Sequence, residues 1–455
     1  MKARPFVAVA ALSWIASSVA WAAPAAPLKV GAAKVDITPA AADLPKNYRG
    51  ILDHIFARAI VIDNGKARAA LVSVDIGGMG GDTWKAISDR AQRELHIPAD
   101  NFLLTATHTH SVPFLRGKAF EDKVFAAIRQ AAGAERPARM AYGTGVSYIN
   151  VQRDIIDPKT HRWWEGANYQ GPSDKTVAVI SFDTLQGEPI AVYYNYAVHA
   201  VITGTLDLVS GDIPGATSDY VESSLGNGAV ALWSEGAAGD QNPIYFHQTY
   251  ELRDIRIKDY AKRGIDISNA MPPGGEGLDR SNPRVVKLMD QQKRMILSMG
   301  QMLGEEVLHI QRENLQRPLR DATIFGDHKT VTCPGRERTD HGRAGYPGTY
   351  VDADPVDLRL SLLRIGDVAI GGVDAEVYNP IAMRFKRESS IKNSMMATLT
   401  NGFAKSGYIP DDASYGHNTF EVVSSRLKPG CAETAIVDGL LDLIDQSEAG
   451  NATGG

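Results

Sequence analysis

His108 and His110 stand two residues apart at the end of an apolar run, Asn101-Phe102-Leu103-Leu104-Thr105-Ala106. The run reads as a buried strand. In extended chain, residues i and i+2 project to the same side. Two neutral imidazoles placed that way are good ligands for a divalent transition metal. Solvated or core histidines are commoner than ligands, so the pair needs company, and other candidates sit just past apolar runs. His199 closes Ile190-Ala191-Val192-Tyr193-Tyr194-Asn195-Tyr196-Ala197-Val198, where a hydrogen-bonded core histidine is the alternative. Ser234-Glu235-Gly236-Ala237-Ala238-Gly239-Asp240-Gln241-Asn242-Pro243 follows a run ending at Trp233. Its small residues let backbone approach a ligand closely. Asp240 either orients a ligating histidine or forms a turn. Asp374-Ala375-Glu376 leaves the run 368–373, and Glu376 there is a ligand, an acid/base or a cap. A loop at 408–417 carries Tyr408, Tyr415 and His417, with packing as the plainer role for its tyrosines.

Two histidines and a carboxylate with an open position suit catalytic zinc. Such an ion polarises a carbonyl and lowers the pKa of water towards neutrality, which implies hydrolysis of an amide or ester. One rival is a two-metal phosphoesterase, for which Asp75 and Asp212 are the available carboxylates. Another is a catalytically silent binding protein.

The elements that must position these groups alternate in type, which predicts an α/β fold with a mixed β-sheet core flanked by helices. Strands are expected at 58–63, 69–75, 101–106, 177–182, 189–197, 228–233, 358–365 and 368–373. Helices are expected at 83–95 with Asp82 as N-cap, at 120–132, and from about Pro214 through Tyr220, Val221 and Leu225. Ser281-Asn282-Pro283 reads as a helix start, followed by Val285, Met289, Ile296, Met299, Leu303, Val307 and Ile310 at helical spacing. Residues 248–281 are polar and rich in Gly and Pro, and read as an irregular insertion.

Residues 1–23 have the form of a secretory signal peptide: Lys2 and Arg4, an apolar stretch, then Ala20-Trp21-Ala22. A membrane anchor is the alternative, but the stretch is short and a Pro/Ala spacer follows. The mature protein is expected in a periplasm or outside the cell, with no integral membrane segment after cleavage. One hydrolase domain is expected over 28–447 and a disordered tail over 448–455. The chain has 48 Lys+Arg against 53 Asp+Glu, which argues against a nucleic-acid partner. Its two cysteines, Cys333 and Cys431, are expected to pair in an oxidising compartment, free buried thiols being the alternative.

The ordered set of motifs resembles the neutral/alkaline non-lysosomal ceramidase family. Gly31-Ala32-Ala33-Lys34-Val35-Asp36-Ile37-Thr38-Pro39 is similar to its opening motif, and Ala106-Thr107-His108-Thr109-His110-Ser111 to its histidine motif. Asn150-Val151-Gln152-Arg153, Asn195-Tyr196-Ala197-Val198-His199, Gly239-Asp240-Gln241-Asn242-Pro243, Thr400-Asn401 and the segment 408–421 follow in family order. The resemblance implies Zn2+ held by His108, His199, Glu376 and Tyr415, the last chosen by the family's Glu-to-Tyr spacing. It implies that His110, Arg153 and Asp240 serve catalysis, with His110 and Arg153 at the substrate's polar groups. It also implies cleavage of a linear amide, ceramide-like by family default, by zinc-activated water; an ester or small polar amide is the alternative. Three departures bear on the substrate. Asn242 stands where the family has Ser, so no serine nucleophile exists there. Lys428 falls near a family Tyr. The chain ends soon after 432–444, so the family's C-terminal immunoglobulin-like domain is expected to be missing.

Overall fold

The apolar runs of the first half pair into one mixed sheet in the computed structural model, which describes residues 27–267 and 271–453. The expected signal peptide and the last two residues lie outside the described residues. In chain order come β1 (Lys29–Asp36), β2 (Phe56–Asp63), β3 (Arg68–Val74), α1 (Gly81–Leu95), β4 (Phe102–Ala106), α2 (Lys118–Gly133) and β5 (Arg136–Val146). A hairpin of β6 (Asn150–Asp157) and β7 (Arg162–Asn168) leaves the sheet. The chain returns with β8 (Thr176–Thr184), β9 (Pro189–Tyr196), α3 (Asp212–Leu225) and β10 (Val230–Glu235). The order is β10-β9-β8-β5-β1-β2-β3-β4. Pairing is parallel only at the two edges, β9 with β10 and β3 with β4. Parallel neighbours need a crossover, which α3 and α1 supply.

The second half contributes β11 (Gln241–Pro243), α4 (His247–Ala261), α5 (Pro283–Glu313), β12 (Ile324–Arg338), β13 (Tyr350–Ile365), β14 (Val368–Val373), β15 (Glu376–Val377), α6 (Asn379–Glu388), β16 (Asn393–Ala397), β17 (Tyr408–Ile409), α7 (Phe420–Ser424) and α8 (Ala432–Thr453). β12, β13, β14 and β16 form a second sheet.

Strand alternation decides how the layers stack. In β2, Ala57, Ala59 and Val61 meet Trp84, Phe125 and Ile128 of α1 and α2. Ile60 and Ile62 point the other way, onto Leu363, Ile365 and Ile370 of the second sheet. Further along the first sheet, Val179, Val192 and Trp233 meet Met299, Leu303 and Val307 of α5. The outer face of the second sheet packs Leu358, Leu360 and Leu362 on Phe385, Ile436 and Leu440 of α6 and α8. The result is helix, sheet, sheet, helix, a mixed α/β architecture with two sheets face to face. Gly31 lets α2 lie against β1: a Cβ there would meet the Ala131 carbonyl oxygen at 2.0 Å.

Three local expectations change. The residue preceding α1 is Gly80, and Asp82 lies inside the first turn with no side-chain cap, where its charge favours the helix dipole. Asn282 does cap α5, accepting from the Arg284 amide. The insertion read at 248–281 begins as helix α4, whose few buried residues, Gln248, Leu252 and Arg256, show no apolar stripe. Finally, α8 runs to Thr453, past the start of the expected tail.

Cys333 and Cys431 are bonded, tying β12 to the start of α8. Replacing both by Ser is expected to lower stability by about 2–5 kcal/mol, because the bridge closes a long loop in the unfolded chain. Urea unfolding of oxidised protein and variant measures this; an unchanged midpoint would remove the bridge as a source of stability.

Candidate metal centre and active site

Three strand ends converge. After β4, the Thr107 amide still bonds the Val74 carbonyl at 3.0 Å, and His108 then turns with φ of 63°. That left-handed conformation is costly for a non-glycine residue. The turn places Nδ1 2.6 Å from the Gly77 carbonyl. After β9, Nδ1 of His199 lies 2.6 Å from the Ala238 carbonyl. A carbonyl oxygen only accepts, so each Nδ1 carries hydrogen and each Nε2 faces the site. Glu376 begins β15, its amide bonded to the Gly407 carbonyl at 2.9 Å. Its Oε2 lies 3.1 Å from Nε2 of both His108 and His199. Nε2 of His110 is 3.3 Å from Nε2 of His108.

These are the spacings of donors around one small cation. Atoms about 2.0–2.1 Å from a tetrahedral ion lie about 3.3 Å from each other. His108 and His199 are buried and His110 is exposed, and together they form a group able to hold a metal. Without a cation, the packed acceptors need a proton. Burial opposes charge on His108, but Glu376 and Glu235 outweigh it and push the ring up to about 9. Burial and then Arg153 push His199 down to about 4. Glu235, the last residue of β10, adds a buried carboxyl close by. Burial pushes it up to about 8, and its Oε1 has no hydrogen-bond partner.

Arg153 organises the next layer. It is 3% exposed and pairs through Nε with Glu421 at 2.6 Å. Nη1 donates to Asn242 at 3.1 Å, and Nη2 donates to the Gly239 carbonyl at 2.6 Å and to the Tyr408 hydroxyl at 3.4 Å. Burial and the Glu376 charge hold the Tyr408 phenol protonated, well above its ordinary value. Asn242 continues the network, donating to Glu165 at 2.8 Å and to the Tyr250 hydroxyl at 3.1 Å.

The structure brings His108, His110, His199, Glu376 and Arg153 together, but not Tyr415. The Tyr415 hydroxyl donates to the Leu427 carbonyl at 3.3 Å and its ring lies under the Arg336 guanidinium. The tyrosine beside Glu376 is Tyr408, because β15 and β17 pair with Glu376 opposite Tyr408. Asp240 also differs from its expected place. Its Oδ1 accepts from the Asn379 amide at the start of α6, at 2.8 Å, while His199 is oriented by the Ala238 carbonyl. Asp75 is paired with Arg58 at 3.0 Å and Asp212 accepts from Thr203, so the two-metal reading loses its carboxylates. Tyr408, Glu235 and Glu421 lie in segments that the sequence marks, but their places beside the site are set only by contact across strands.

Two concavities flank the histidines, and only the second carries charged side chains besides the histidine. One, of about 540 Å³, is lined by His108 with Ile76, Met79, Val112, Phe114 and Phe403. The other, of about 270 Å³, is lined by His110 with Thr205, Tyr250, Arg253 and Arg256.

Burial raises the Asp240 carboxyl to about 7. A carboxyl raised in the folded state contributes stability that is present at low pH and lost as pH rises through about 7. Asp240→Asn keeps an acceptor for Asn379 and removes that loss. The variant is expected to gain on the parent by roughly 1 kcal/mol per pH unit between pH 5 and 7. Urea unfolding across that range tests it, and a constant difference would show Asp240 charged throughout.

Residues 28–249 match the family described as neutral/alkaline non-lysosomal ceramidase, N-terminal. The chain is 28% identical over 244 residues to a neutral ceramidase of Drosophila pseudoobscura pseudoobscura, covering 47% of this chain and 35% of that protein. It is 27% identical over 278 residues to one of Pseudomonas aeruginosa, covering 52% and 41%. The matches thus span well under half the length of these relatives. A solved ceramidase complexed with C2 superposes with a TM-score of 0.66 at 18% identity, over 93% of this chain and 76% of that one. The crystal structure of the Pseudomonas aeruginosa neutral ceramidase gives 0.64, also at 18% identity, over 92% and 75%. The fold therefore extends across the described chain, and residues 28–249 carry its sequence similarity to the neutral/alkaline non-lysosomal ceramidase family.

Proposed function

We propose that the protein is a zinc-dependent amidase that hydrolyses a linear N-acyl amide of lipid type, ceramide being the compound that its relatives' names indicate. The observation that carries this reading is the convergence of His108, His199 and Glu376 at ligand spacing. The donors fit the ion: two imidazoles with Nδ1 held by carbonyls, one carboxylate, and a tyrosine hydroxyl near that carboxylate. When bound there, zinc supplies Lewis acidity and makes water acidic near neutral pH.

The remaining work falls to this chain's own groups. The protonated Tyr408 hydroxyl, steadied by Arg153, is a donor for the amide oxygen as negative charge develops on it. His110, kept neutral by desolvation of its ring and by His108 and His199, is suited to take the proton that the attacking water releases and to pass it to the departing nitrogen. Arg153 positions Tyr408, and its charge is balanced by Glu421. Water adds across the C–N bond, the acyl carbon taking oxygen and the nitrogen taking hydrogen. The apolar concavity beside His108 suits an acyl chain. Among the described residues no helix is long and apolar enough to cross a membrane. The disulfide supports an oxidising compartment, in keeping with a periplasmic or secreted protein.

Metal analysis of purified protein is expected to give one zinc per chain. His199→Ala and Glu376→Ala are expected to lose the metal and at least about 10³-fold in N-acyl amide hydrolysis while retaining native circular dichroism. Full activity in a demetallated, chelator-treated sample would sink the zinc assignment. Tyr408→Phe is expected to lower kcat by roughly 10²–10³-fold, with Tyr415→Phe close to the parent. The reverse pattern would restore Tyr415 to the site.

A further inference from the structure

The concavity on the His110 side is lined by a buried guanidinium that no carboxylate contacts among the described residues. Arg256, on α4, is 3% exposed. Its Nη1 donates to the Gly274 carbonyl at 2.8 Å and its Nη2 to the Pro272 carbonyl. Its Nε has no hydrogen-bond partner. Among the described residues it forms no ion pair with a carboxylate. The fields of Tyr260, Asp207 and Glu276 reach it without contact, and Asp207 is itself bonded to Arg280 and to the Gly275 amide. Burial accordingly pushes Arg256 below its ordinary value. Leaving a guanidinium buried and unpaired is expensive, and backbone carbonyls neutralise no charge.

Arg253, one helical turn earlier, lines the same concavity. It pairs with Glu165 at 3.2 Å. Both oxygens of that carboxylate are engaged, the other one accepting from Asn242. Two guanidinium groups thus line the cavity: Arg253 pairs with Glu165 and, at 3.8 Å, with Asp254, while Arg256 pairs with no carboxylate among the described residues. Through Met271 the space adjoins a second cavity of about 300 Å³ walled by Trp163, Trp164 and Phe420. A neutral amino alcohol with an alkyl tail would match little of this: it would neither pair Arg256 nor use the donors that remain free.

The geometry points to a substrate whose amine half carries a carboxylate, seated on Arg256 and Arg253: an N-acyl amino acid, its acyl chain on the His108 side and its side chain towards the indoles. This rests on the amidase reading above and narrows its substrate class. A carboxylate there completes charge-assisted, two-pronged hydrogen bonds that only a guanidinium offers.

The test uses N-dodecanoyl-phenylalanine and its C-terminal carboxamide, which differ only in charge at one group. Calorimetric binding to chelator-treated full-length protein is measured beside kcat/KM of the zinc-loaded enzyme. The acid is expected to bind at least about tenfold tighter and to be cleaved with a similar preference. Arg256→Gln and, as a second variant that leaves the 272–274 carbonyls in place, Arg253→Gln are expected to shrink that preference to within about threefold, mainly through KM. Equal binding of acid and carboxamide by the parent overturns the proposal, whether or not either is cleaved. A binding preference without cleavage supports the anion seat and removes the amidase reading. Cleavage of both at equal kcat/KM supports the amidase and removes the seat.

Discussion

A carboxylate oxygen held between two buried imidazole nitrogens is the contact around which this molecule is arranged. Glu376 Oε2 lies 3.1 Å from both His108 and His199. In a poorly hydrated site such an arrangement persists only if a cation, proton or metal, sits among the acceptors. The rings cannot turn away, since each Nδ1 is committed to a carbonyl, Gly77 or Ala238. The histidines come from the first sheet and the glutamate from a strand following the second. The centre therefore exists only where the two sheets pack face to face, with Ile60, Ile62, Ile370 and their neighbours between them.

Polar bonds stitch the sheets together at the site end of that apolar layer. Asn195 donates to the Met396 carbonyl at 3.0 Å, and the Thr398 amide bonds the Glu235 carbonyl at 2.9 Å. Asn401 accepts from the Leu104 amide at 2.9 Å. Each satisfies a backbone group that a strand end would otherwise leave unpaired. The bonds from Asn195 and Asn401 also fix β9 and β4, which lead into the ligating histidines, against the chain of the opposite sheet. Arg153 does the same for side chains: one guanidinium spans Glu421, Asn242, the Gly239 carbonyl and Tyr408. The tyrosine beside the metal centre is thereby tied to the hairpin of β6 and β7.

The surroundings of the centre are asymmetric because they are built from different material. The His108 side is walled by loops after β3 and β4, which carry Ile76, Met79, Val112 and Phe114. The His110 side is walled by the turn at Val201, Gly204 and Thr205 and by α4 with its flanks, which bring Phe246, Tyr250, Arg253, Arg256 and Met271. Asn242 joins the second wall to the catalytic layer through Glu165 and Tyr250. A substitution at that loop therefore propagates to the cavity as well as to Arg153.

Continuous apolar runs announced the buried strands, and His108, His199 and Glu376 were legible because each follows such a run directly. Helix α5 was legible from its apolar period and its Asn282 cap. Other features were hidden for physical reasons. Helix α4 lacks an apolar stripe because it packs polar residues around a cavity. β12 alternates exposed and buried positions too weakly to be read as a strand. The tyrosine was misjudged because spacing along the chain measures contour, whereas strand pairing of Glu376 with Tyr408 measures contact. Asp240 was assigned to a histidine that a backbone carbonyl already holds, and carbonyl partners leave no trace in residue types. The sequence by itself determined which residues are able to ligate, and at which strand ends they stand, because hydrophobic period and local chemistry are written residue by residue. Which of them meet, which tyrosine faces the carboxylate and which arginine is left unpaired were decided only by the packing of two sheets whose partners lie far apart in the chain.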